Sequence, residues 1–158
     1  MVRTVGEDDS ERKVLDDIEN FGWHCVHIQA EADLVEYSFT IGLFQSFKHP
    51  ELIIFGLPRQ TAHQVLALVA DAARAHAPID LSSPTDALLK NYSCCFAEVP
   101  RAQYHEHMGY GRWYYMGNGF PLYQVIWPSR DGFYPWHPKA TESFRVAQPV
   151  IASPADGS

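Results

Sequence analysis

Tyr37-Ser38-Phe39-Thr40-Ile41-Gly42-Leu43 is the stretch whose reading decides the fold. Large apolar residues alternate in it with small or hydroxylated ones, and successive side chains of a strand point to opposite faces. Tyr37, Phe39, Ile41 and Leu43 therefore form a core face, and Ser38, Thr40 and Gly42 a face of small side chains. Two readings of that second face stay open. A flat ligand can approach closely over Thr40 and the bare backbone of Gly42, or the glycine marks a bulge or a tightly packed helix. Upstream, Trp23 to Ile28 reads as another strand. The polar linker Gln29 to Glu36 is short enough for a hairpin, which makes the two strands antiparallel neighbours.

Further along, Leu52-Ile53-Ile54-Phe55 is apolar without alternation, as expected of a strand covered on both faces. Ser10 is placed to cap a helix from Glu11 to Phe21, where Val14, Leu15, Ile18 and Phe21 recur at helical spacing before Gly22. Thr61 and Gln64 stand at capping-box spacing ahead of Val65, Leu68, Val69 and Ala72, a helix closed by Pro78. Ser83-Pro84-Thr85-Asp86 predicts a short helix to about Lys90, and Pro100 opens another through Met108. Between and after them Ser93 to Val99 and Phe120 to Trp127 read as strands, and Gly109, Gly111, Gly117 and Gly119 break up the segment before the last. Tyr134-Pro135 is a candidate cis bond. Connections often too short for helical crossovers point to an α+β domain: a mostly antiparallel sheet with one main helix and two or three shorter ones packed on it. The domain is expected over residues 10–148, between a flexible acidic tail at 1–9 and a flexible tail at 149–158.

A chain of 158 residues is long enough for one core without staples. Its net charge is −7, and the first twenty residues hold seven acidic side chains against Arg3, Arg12 and Lys13. The remaining basic residues are scattered singly, which disfavours nucleic-acid binding, where clustered cations displace counterions from phosphates. No apolar run approaches the length of a membrane span, and the N-terminus turns acidic at once, unlike a signal peptide. Three cysteines, two of them the neighbours Cys94 and Cys95, suit a reduced, cytoplasmic protein.

Few residues point to chemistry. In the loop His49-Pro50-Glu51, an imidazole beside a carboxylate forms a candidate general base with an orienting partner. No metal site is expected: His24 and His27 point to opposite faces of a strand, and His105 and His107 diverge on a helix. Cys25, in an apolar strand, reads as a small core residue. Residues 104–144 hold twelve of the 21 aromatic residues, a density that suits a binding wall as well as a core. Gln124 shares a strand face with Leu122 and Ile126, so its amide needs buried partners or reads a ligand's polar edge. Trp127 opens a turn, and Trp136 lies in the proline-stiffened Tyr134-Pro135-Trp136-His137-Pro138. Phosphate-cradling glycine loops, nucleophile elbows and Cys-x-x-Cys pairs are missing from the sequence.

Taken in order, Tyr37 to Leu43, His49-Pro50-Glu51-Leu52, Gly56-Leu57-Pro58, Gln124 to Pro128, Gly132 and Pro135-Trp136 resemble domain-of-unknown-function family 4262, over about Glu11 to Gln148. The resemblance implies a small bacterial cytosolic protein and transfers no catalytic residue. The preferred reading is a non-catalytic domain that binds a small molecule or a protein partner through Tyr37, Thr40, Gly42, Gln124, Trp127 and Trp136. The alternatives are a small enzyme in which His49 is the general base and Glu51 orients it, and a flavin- or nucleotide-binding protein. The sequence identifies no cofactor.

Overall fold

A computed structural model describes residues 1–152. Its elements run α1 (Asp9–Phe21), β1 (His24–Ile28), β2 (Tyr37–Ile41), α2 (Leu43–Phe47), β3 (Glu51–Phe55), α3 (Arg59–Arg74), β4 (Thr85–Leu89), β5 (Tyr92–Glu98), α4 (Tyr104–His107), α5 (Gly109–Tyr115), β6 (Leu122–Ile126) and α6 (Glu142–Ala147). The six strands form one sheet in the order β1-β2-β3-β6-β5-β4. Only the β3–β6 pair is parallel, so the α+β, mostly antiparallel expectation holds. Among the described residues no helix is long and apolar enough to cross a membrane.

The β1–β2 hairpin forms as expected, with His24 opposite Ile41 and Ile28 opposite Tyr37. The two faces of the sheet carry separate apolar clusters. On one, Tyr37, Phe39, Ile53 and Phe55 meet Val14 of α1 and the rings of Tyr104, Tyr114, Tyr115 and Phe120. On the other, Leu52, Ile54 and Val125 are roofed by Ala62, Val65, Leu66, Val69 and Ala70 of α3. Every residue of β3 is buried, as its unbroken apolar run requires.

Several local expectations are corrected by contacts from elsewhere in the chain. Asp8, not Ser10, caps α1: its carboxylate accepts from the Glu11 amide at 2.8 Å, while Glu11 reaches back to the Glu7 amide. Phe21 is exposed rather than on the buried face. Helix α3 starts two residues before Thr61, from Pro58, so the Thr61/Gln64 capping box does not form, and Leu68 lies outside the buried stripe. The segment after Pro84 is the strand β4, because Asn91, with φ +69°, closes a tight hairpin that pairs it with β5. Helices α2, α5 and α6 arise where no helix signal was read. The peptide bond before Pro135 is trans. Residues 149–152, expected as frayed tail, lie against β6, with Ala152 buried; 153–158 lie outside the described residues.

Candidate functional site

Strand β2 ends at Ile41, and Gly42, with φ +108°, turns the chain into α2. A side chain at Gly42 would collide with the Gly22 carbonyl oxygen and Ile18, at 2.8 and 2.9 Å from an added Cβ. Its role is therefore close packing of α1 against the turn. Because of this turn Leu43 joins the α3-side cluster instead of continuing the face of Tyr37, Phe39 and Ile41. The hydroxylated face is not open either: Ser38 and Thr40 are fully buried beneath α3.

Glu51 is the centre of a closed network. Its carboxylate is fully buried and accepts hydrogen bonds from Thr40 Oγ1 (2.7 Å), from the amides of Gly42 (3.0 Å), Leu43 (3.3 Å) and Phe44 (3.2 Å), and from the Tyr115 hydroxyl. Thr40 Oγ1 accepts in turn from the Leu52 amide at 2.9 Å. The carboxylate thus caps α2 from a neighbouring strand, meeting amides that a helix leaves without partners. Burial pushes its carboxyl above the ordinary carboxylate range, while Tyr115 and Thr40 work in the opposite sense. His49 is not among the groups bonded to Glu51. Its Nδ1 lies 2.7 Å from the Pro50 carbonyl oxygen, and its Nε2 is buried with no partner among the described residues.

The other residues singled out from the sequence are dispersed. Gln124 is fully buried; its Nε2 donates to Pro149 O at 2.9 Å and its Oε1 accepts from the amides of Ile151 and Ala152. Trp127 donates from Nε1 to Phe55 O, and its backbone is paired on both sides by the Gln148 amide. Tyr37 is a core residue whose hydroxyl donates to His107 O at 3.2 Å. Trp136 stacks on Tyr134 and helps line a shallow cavity of about 350 Å³ with Arg145 and Gln148. The aromatic segment divides: Tyr104 and Tyr115 stack on Phe120 inside the core, whereas the stacked pairs Tyr134–Trp136 and Phe133–His137 remain half-buried.

A more coherent site lies where α3 overhangs the edge strand β1. A groove of about 490 Å³ is lined by Cys25 and His27 from β1 and by Arg59, Gln60, His63 and Gln64 from α3. Arg59 and His63, like Gln60 and Gln64, are four residues apart and so share one flank of the helix. Strand spacing puts Cys25 and His27 on one face. His27 is held from both sides: Nδ1 lies 2.6 Å from Ser38 Oγ, its partner across the hairpin, and Nε2 lies 3.1 Å from Glu36 Oε2. Ser38 is fully buried and does not line the groove. Burial pushes the Cys25 thiol up to about 11, so it stays protonated at neutral pH. A second cavity, which shares Cys25 and His63, continues the groove toward Lys13, His24 and Arg74 and toward the carboxylates of Asp17 and Asp71. Sequence reasoning weighed Cys25 alone and His27 only as a pair with His24, and missed the helix side; the available signal was the polar stripe Arg59, Gln60, His63, Gln64 flanking the buried face. Among the described residues no three His, Cys, Asp or Glu side chains are grouped to hold a metal ion.

A family model described as a domain of unknown function (DUF4262) matches residues 17–141, in line with the resemblance read from the sequence. Neither a curated protein nor a solved structure matches the chain.

Proposed function

As the chain belongs to the DUF4262 family, whose description assigns no reaction, its function is read from its own side chains, and we propose that it is a binding domain for a small anionic molecule held between α3 and β1. One observation carries this reading: in a chain of net charge −7, the six residues lining the groove include an arginine and two histidines and no carboxylate. Arg59 presents a planar fork suited to carboxylate or phosphate oxygens, and the amides of Gln60 and Gln64 supply directional donors and acceptors beside it. The Ser38 and Glu36 bonds fix the His27 ring, so the wall on the β1 side is ordered before a ligand arrives. The protonated Cys25 thiol and the buried Ser38 hydroxyl favour binding over nucleophilic catalysis. The volume lies in the range of small-molecule sites. Three free cysteines, all with thiols raised by burial, favour a reducing, cytoplasmic setting.

Calorimetric titration of the full chain with inorganic pyrophosphate, AMP, FMN and citrate tests the reading. At least one of these anions is expected to bind with a dissociation constant below about 1 mM, and Arg59→Gln to weaken it about tenfold or more at unchanged melting temperature. Absence of saturable heat for all four anions, or binding that Arg59→Gln leaves intact, overturns it.

A further inference from the structure

The two edges of the sheet differ. At one, the register between β4 and β5 shifts between Thr85 and Leu89, an irregularity of the kind that stops an edge from pairing further. At the other, β1 pairs with β2 without a break from His24 to Ile28, and its sequence His24-Cys25-Val26-His27-Ile28 contains neither proline nor lysine. In an antiparallel pair, alternate residues turn their N–H and C=O groups away from the partner strand. On β1 those outward groups find no backbone partner beyond β2 among the described residues. The only side chain on its main chain is the Cys25 thiol, 4.0 Å from the Val26 carbonyl oxygen.

This edge lies in a cleft between two helices. Cys25 and His27 face α3 across the groove, whereas Val26 and Ile28 pack in the cluster that holds Val14 of α1. The adjoining cavity of about 360 Å³ touches Asp71 and Arg74 of α3, His24 of β1, and Lys13 and Asp17 of α1. A cavity that meets helices on both faces of the sheet passes around the edge of the strand. The cleft also has a polarity. Ile28 pairs with Tyr37 and Tyr37 with Phe55, so the C-terminal end of β1 and the start of α3, soon after Phe55, lie at the same end of the sheet. At that end stand His27 and Arg59 with no carboxylate in the lining; Glu36 holds His27 Nε2 from outside it. Helix α3 begins there with no side-chain cap and no acidic residue in its first turn, which leaves its first amides to solvent or a ligand. At the other end Asp17 and Asp71 balance Lys13 and Arg74. A second copy of the chain would bring its own α1 and α3 against those of the first, whereas a single extended strand has neither.

We infer that the edge of β1 takes up the C-terminal end of an extended peptide as an added strand, parallel to β1, with the terminal carboxylate at Arg59 and the start of α3. The inference rests on the anionic-ligand reading of the α3–β1 groove and identifies the anion as a main-chain carboxylate. Hydrogen bonds to the outward groups of β1 supply the affinity, and the carboxylate fixes the direction of the peptide. At about 3.3 Å per residue, the five residues of β1 match a peptide of about four or five.

The test screens the full chain against an array of acetylated pentapeptides with free C-termini and against the same array amidated. The tightest free-acid peptide is expected to bind with a dissociation constant below about 100 µM, and its amide about tenfold or more weakly. Arg59 is exposed, so Arg59→Gln should keep the fold and bring acid and amide to the same affinity. In the complex the outward amides of β1 should exchange with deuterium at least about tenfold more slowly, and N-methylation of alternate peptide amides should abolish binding. Acetylvaline, which carries the carboxylate without a strand, should leave exchange in β1 unchanged. The inference is overturned if no free-acid peptide binds more tightly than acetylvaline, if acid and amide bind alike, or if binding leaves exchange in β1 unchanged. It is equally overturned if sedimentation shows a dimer with β1 already protected, since a second copy then holds the edge. Citrate or pyrophosphate bound through Arg59 with no peptide bound sinks this inference alone; silence of the anions and the peptides sinks the anionic-ligand reading with it.

Discussion

Glu51 shows how one side chain organises its surroundings. A carboxylate with no exposed surface is tolerated because three amides and two hydroxyls point at it, and three of those elements, β2, α2 and α5, contribute no other anion to the network. Glu51→Gln replaces an acceptor oxygen by an NH₂ group that faces donors, and removes the charge that strengthens each bond. The variant should lose about 2–4 kcal/mol of unfolding free energy, read from the urea midpoint. In the sequence this residue stands beside His49 as an acid–base candidate, and His49-Pro50-Glu51 is legible there as a marked loop. The adjacency misled about roles: Glu51 is the first residue of β3 and turns inward to α2, while the His49 Nδ1 turns to its own chain at Pro50. Which way two neighbouring side chains point depends on where the strand begins, and pairing with β6 decides that.

Among the elements, α2 is the one least readable beforehand. Five residues form too short a helix to be stable on propensity alone, and its cap comes from Glu51, outside its own sequence. Gly42 is the joint between β2 and α2, and α1 packs directly on it. Gly42→Ala should destabilise the protein by about 3 kcal/mol, through a strained backbone and collision with the Gly22 carbonyl, measurable as a lowered midpoint at unchanged m-value. The C-terminal segment is likewise recruited by side chains. Gln124 holds residues 149–152, and Gln148 pairs with both backbone groups of Trp127 just beyond the end of β6. The amides of Ile151 and Ala152 should therefore exchange slowly with deuterium. Gln124→Leu, similar in size but without acceptor or donor, should speed their exchange at least tenfold more than that of β3 amides. From the sequence, Gln124 was readable as buried and in need of partners, but the identity of the partners was not, since they lie 25 or more residues away.

For the molecule as a whole, acid should be destabilising in a specific way. Burial lowers the affinity of His49 and His107 for protons, so their folded pKa values lie below 6.5. Below that pH the unfolded chain takes up the protons first; the stability they contribute is fully present above about 6.5 and declines as pH falls toward the folded values. Glu51, whose pKa is raised, acts with the opposite sign, because the folded state holds its proton to higher pH. His107→Phe isolates one histidine. The ring packs edge-to-face with Tyr37 and Phe55, an arrangement phenylalanine can keep. Between pH 5 and 6.5 the variant should show a shallower fall of unfolding free energy with acid, by up to about 1.4 kcal/mol per pH unit, measured by urea titrations at each pH. At this scale, local pattern in the sequence was enough for the fold class and the β1–β2 hairpin, because period-two alternation at Tyr37 to Ile41 and an unbroken apolar run at Leu52 to Phe55 are properties of neighbouring residues. Only the tertiary structure decided which polar groups are enclosed and which face a cavity. The network at Glu51 and the groove between α3 and β1 are each made by segments distant in sequence, and no spacing along a single chain encodes which buried nitrogen finds a partner and which, like Nε2 of His49, has none among the described residues.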